Sequence, residues 1–79
     1  MIKKLTVKAF WDSEANVWVA ESDDVPGLIT EANTMEKLID KLHSLIPELL
    51  QENSILQEQD IQEIPFLLYS ERMETLRCG

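Results

Sequence analysis

Glycine is almost absent from this chain of 79 residues, which holds Gly27 and Gly79 and no other. Two glycines so far apart cannot build a phosphate-cradling loop or a dinucleotide fingerprint, whose glycines lie within a few positions of one another. Cysteine occurs once, as Cys78, which excludes an internal disulfide. A lone thiol suits a reducing compartment. No histidine or other base lies near it, and it sits in a chain end, where order is weakest. Histidine also occurs once, as His43, so no pair of imidazoles is available for a metal site. Basic residues are few and scattered: Lys3, Lys4, Lys8, Lys37, Lys41, Arg72 and Arg77. A nucleic-acid backbone is bound by clustered cations, so direct nucleic-acid binding is not expected. Long apolar runs are missing too. A membrane-spanning helix needs about 20 apolar residues and a secretory signal a continuous apolar segment of roughly 7–15. The opening MIKKLTVKAFWD alternates instead, which points to the cytoplasm.

What is present is acid and a globular share of hydrophobic residues. The formal net charge is −8 with pI near 4.4. Such an excess keeps a protein soluble and also suits a basic partner. At 44% the hydrophobic fraction is that of a folded chain rather than a disordered one. One domain of this size buries only about 60% of its unfolded surface. With neither disulfide nor evident metal site, oligomerisation is the expected source of extra stability.

Residues 2–12 alternate: Leu5, Val7, Ala9 and Trp11 point one way, and Thr6, Lys8, Phe10 and Asp12 the other. That period predicts a strand with one buried face. Residues 13–16, SEAN, read as a four-residue hairpin loop. VWVAES at 17–22 reads as an antiparallel partner. Pro26 and Gly27 fit the central positions of a type II turn, and Leu28–Thr30 leave it as a short third strand. Asn33 is the expected helix N-cap, with Glu36 three residues later. Met35, Leu38, Ile39, Leu42, Leu45, Ile46, Leu49 and Leu50 form a broad apolar stripe. Pro47 interrupts that helix at a cost of about 3 kcal/mol, predicting a kinked helix or two pieces ending near Glu52 or Asn53. Residues 53–63 read as a connecting loop and 64–74 as a fourth strand, with Pro65 at its start or on an edge. The fold class is therefore α+β, in the order β-β-β-α-β. One long, Pro-kinked helix lies on one face of a mainly antiparallel sheet. Residues 1–74 make the domain and 75–79 a tail.

The pieces F-W-D (10–12), V-W-V-A (17–20), D-V-P-G-L (24–28), T-E-A (30–32), I-P-E-L-L (46–50) and I-P-F (64–66) stand in an order that resembles the HicB-like antitoxin superfamily. The likeness is nearest to a small stand-alone family of unknown function within it and covers about residues 4–72. The resemblance implies a reduced ribonuclease-H-like topology. It also implies a role: HicB proteins neutralise small RNA-cleaving toxins of the HicA type. Such proteins usually carry a separate C-terminal DNA-binding domain; after residue 72, where the likeness ends, only METLRCG remains here.

Active ribonuclease H sites clamp two metal ions with converging carboxylates. Asp12, Glu21, Asp23 and Asp24 are the candidates for such a set, and read better as turn and loop acids. His43 falls at the margin of the helical stripe, an edge-of-core or surface position rather than that of a general base. No catalytic, metal or cofactor residues are assigned, and no enzyme activity is expected. The aromatics carry more information. Phe10 opposes Trp11 along its strand, Trp18 opposes Val17 and Val19, and Leu67 and Tyr69 repeat the pattern near the end. Both sheet faces thus carry large apolar groups while one helix covers one face. An open apolar face is an association surface. Phe10, Trp18, Leu67 and Tyr69 are therefore the candidate partner or dimer interface. The expected function is non-enzymatic protein binding, as a homodimer able to take a small basic HicA-type toxin. The alternatives are a homo-oligomeric regulatory module and, behind it, a metal-dependent nuclease.

Overall fold

The structure, a computed structural model, describes residues 4–53 and 63–79. Four strands and one helix follow the expected order: β1 (Leu5–Asp12), β2 (Val17–Glu21), β3 (Ile29–Ala32), α1 (Met35–Glu52) and β4 (Phe66–Glu71). The loop expected at 53–63 falls, for residues 54–62, outside the described residues, as do residues 2 and 3 of the first expected strand.

The sheet order is β3-β2-β1-β4. β1–β2 and β2–β3 pair antiparallel, whereas β4 lies parallel to β1. The reason is the helix. Strands joined by a tight loop reverse, but a crossover through a helix returns the chain to the end it left. β4 therefore runs with β1 and forms the edge opposite β3.

Local chemistry fixes each corner. The Asp12 carboxylate accepts from the amides of Glu14 (3.0 Å) and Ala15 (3.2 Å), closing the four-residue hairpin. Asn16 completes it at φ 57°, a left-handed conformation that asparagine tolerates. At the Val-Pro-Gly-Leu corner the Leu28 amide bonds the Val25 carbonyl at 3.1 Å and Gly27 has φ 84°, as a type II turn requires. The corner is more than a turn, because Val25 and Leu28 are themselves buried core residues.

The helix cap is shifted by one residue from expectation. Thr34, not Asn33, is the N-cap: its backbone is extended and its Oγ1 accepts from the Lys37 amide at 3.1 Å. β3 stays paired through Ala32, so Asn33 is still leaving the sheet and Thr34 is the first residue able to cap. Glu36 remains in the first turn, where the helix dipole favours it. Downstream, α1 runs as one helix through Pro47 rather than as two pieces, and ends at Glu52. Leu38, Leu42, Ile46 and Leu50 recur at four-residue spacing and are fully or almost fully buried. They pack on Leu5, Val7, Ala9, Ala20 and Ala32 of the sheet, together with Val25 and Leu28. Burial on both sides of Pro47 offsets the lost backbone bond. Asn53 closes the far end, donating from its side chain to the Leu49 carbonyl (2.8 Å) and to the Pro26 carbonyl. Among the described residues, no helix is long and apolar enough to cross a membrane.

Candidate protein-interaction surface

Strand pairing decides which side chains face the helix. Leu5, Val7 and Ala9 are buried beneath it, and the residues paired with them share their side. Those are Ala20 on β2 and Phe66, Leu68 and Ser70 on β4. The other face holds Thr6, Lys8, Phe10 and Asp12 of β1, Val17, Val19 and Glu21 of β2, Ile29 and Glu31 of β3, and Leu67, Tyr69 and Glu71 of β4. Among the described residues no helix covers this second face.

Of the four expected interface residues, three come together there. Phe10 and Leu67 are half-buried, and Tyr69 is 56% exposed. Trp18 does not join them. It pairs with Trp11 across the hairpin and lies on the helix side, against the core. The two indoles meet edge to face, with centroids 5.4 Å apart at 65°, a favoured aromatic geometry. Counting through the four-residue loop already sets residue 18 opposite 11, so the sequence held the signal that separates Trp18 from Phe10. Val17, Val19 and Ile29 were not among the candidates. The first two are half-buried and Ile29 is 69% exposed, all on the open face.

Acidic residues share this face with the apolar ones. A depression on the open face is lined by Thr6, Lys8, Glu21, Asp23, Asp24, Tyr69 and Glu71. Lys8 Nζ lies 3.2 Å from the Glu71 carboxylate, with both side chains more than half exposed. Such a solvated pair contributes little to stability. Four carboxylates around one lysine leave the depression negative.

Of the four acids considered for a nuclease, Glu21, Asp23 and Asp24 line that depression and Asp12 stands apart. Asp12 serves the hairpin, while Asp24 accepts from the Thr6 amide at 2.8 Å. Thr6 and Asp12 lie six residues apart on one strand, about 20 Å at 3.3 Å per residue. Among the described residues no three His, Cys, Asp or Glu side chains are grouped to hold a metal ion. His43 is exposed, with its ring edge-on to Phe66 at 5.6 Å. Cys78 is exposed near the chain end. Pro26 and Gly27 stand at the corner described above, away from the open face.

Comparison with known proteins sets this geometry in a family. Residues 4–77 match the family described as Domain of unknown function (DUF1902). A solved structure of a hypothetical protein from the extremely thermophilic bacterium Thermus thermophilus is 50% identical in sequence. The match covers 96% of this chain and 100% of that one, with a TM-score of 0.69. No curated protein matches.

Proposed function

Since the chain belongs to the DUF1902 family, a domain of unknown function, we propose that it is a non-catalytic protein-binding module of the HicB-like antitoxin type. It works in the cytoplasm as a homodimer and takes a small basic RNA-cleaving toxin of the HicA type as its partner. The observation that carries this reading is the open sheet face. Phe10, Leu67, Val17 and Val19 offer half-buried apolar area, and Tyr69 adds an exposed aromatic ring beside a depression lined by Glu21, Asp23, Asp24 and Glu71. Aromatic side chains in such patches are frequent anchors of binding energy. This acid, on a chain of net charge −8, speeds encounter with a basic partner and rejects acidic ones.

Co-expression tests the reading. The HicA-type toxin encoded nearest to this chain's gene is induced with and without the chain. Growth should be restored by the chain, and lost again with Phe10→Glu, which places a charge in the apolar part of the face. Circular dichroism of the purified variant checks that the fold survives. Failure of the unaltered chain to restore growth, or full rescue by a folded Phe10→Glu, would refute the proposal.

A further inference from the structure

The chain leaves the sheet as an extended arm. β4 stays in register with β1 up to Phe10↔Glu71, and Arg72 lies over the Trp11 ring at 4.3 Å. Residues 73–79 then run on without regular structure, every one of them exposed. Met73 is 90% and Leu76 86% exposed. Large apolar side chains held this far in water forgo the burial that normally places them. The molecule is correspondingly long, 59 Å against 20 and 19 Å, and its radius of gyration is 14.8 Å. A compact domain of this length would have about 12 Å. The arm also falls inside the family's own domain, which extends to residue 77.

The arm springs from an edge strand. β4 is terminal in the sheet order, and among the described residues nothing pairs with its outer side. Its sequence, FLLYSE, places one charge on six residues. An edge this apolar is a template for a further strand unless something covers it.

The sequence of strand and arm is self-complementary. Residues 66–69 are apolar, Ser70, Glu71 and Arg72 are polar, and Met73 and Leu76 are apolar again. An antiparallel pairing of two copies centred on Glu71 lays the arm of each along β4 of the other, with Met73 opposite Tyr69 and Leu76 opposite Phe66. The two-residue side-chain period then sorts the faces. Met73 shares the open side with Leu67 and Tyr69, and Leu76 shares the helix side with Phe66 and Leu68. A two-fold axis perpendicular to the sheet keeps each side on its own side. Each apolar arm residue therefore meets the apolar half of the second copy's β4, while Glu71 and Arg72 of the two copies lie near the axis. We propose that two copies of this chain pair antiparallel through β4 and the C-terminal arm, joining two four-stranded sheets into one of eight strands.

This deepens the homodimer of the proposed function and leaves the open face free for another protein. Sedimentation equilibrium on the full chain tests it. The chain, 9.1 kDa as a monomer, should sediment at twice that mass. The double variant Met73→Asp/Leu76→Asp should weaken dimerisation at least tenfold with an unchanged circular dichroism spectrum, since both residues are solvated in the single chain. Ile29→Glu, an exposed position on β3 at the opposite edge of the sheet, should leave the dimer intact. A full chain that stays monomeric at millimolar concentration overturns the inference. So does a dimer indifferent to the arm variant, or one dissolved by Ile29→Glu. A monomer that still restores growth would sink this inference and the homodimer with it but leave toxin binding standing; an arm-dependent dimer that restores none would sink toxin binding alone.

Discussion

Ser22 and Asp24 finish with their side chains a ladder that the backbone of β2 has already left. The β1–β2 register ends at Lys8↔Glu21; two places further it would set Thr6 opposite Asp23. Instead, Ser22 Oγ donates to the Thr6 carbonyl and accepts from the Asp24 amide, and the Asp24 carboxylate accepts from the Thr6 amide at 2.8 Å. Asp24→Ala should therefore destabilise the fold by about 1 kcal/mol, the net contribution of one hydrogen bond. Asp23→Asn, whose side chain has no such role, should leave the urea midpoint unchanged. Gly27 makes a second residue-scale prediction. A Cβ there would meet Leu49 Cδ2 at 3.6 Å, an ordinary contact, so the penalty comes from the backbone at φ +84°. Gly27→Ala should cost about 1–2 kcal/mol, a fall in melting temperature of roughly 4–8 °C for each kcal/mol; Gly27→Val should cost more. The turn was legible in the sequence because proline and glycine each restrict φ in a known way. The role of Asp24 was not, since neighbouring aspartates are told apart only by the strand that one of them reaches.

At the scale of elements, β1, β2 and α1 were legible because a buried face imposes a period on the side chains that make it. The direction and neighbour of β4 were not. Pro65 marks a strand beginning or an edge, but gives no sign of which strand lies beside it. That follows from the crossover, which the helix between β3 and β4 dictates. The N-cap was displaced because Asn33 and Thr34 are both competent caps, and the choice belongs to β3 pairing. Pro47 is the element most open to experiment. It occupies a continuous helix whose apolar stripe is buried before and after it. Pro47→Ala should restore the bond to the His43 carbonyl and raise helix stability. A thermal melt should show a higher midpoint, by an amount bounded by the proline penalty of about 3 kcal/mol. A lower midpoint would mean that the half-buried ring contributes more to packing than the backbone loses.

For the whole molecule, the decisive feature is a sheet that, among the described residues, has helix on one side only. Composition announced that one domain would have a thin core and an acidic exterior. Alternation announced that both faces would carry apolar groups. Which aromatics share the open face was settled by register, and register moved Trp18 to the core while bringing Val17, Val19 and Ile29 to Phe10, Leu67 and Tyr69. The proposal that this face binds a basic protein is tested most directly by isothermal titration of the purified chain with the purified HicA-type toxin. The account predicts a saturable complex that weakens as salt screens the acidic side chains. It further predicts that Phe10→Ala loosens the complex about thirtyfold or more, the loss of an anchor contributing at least about 2 kcal/mol. A titration without binding, or one that Phe10→Ala leaves unchanged, would contradict it.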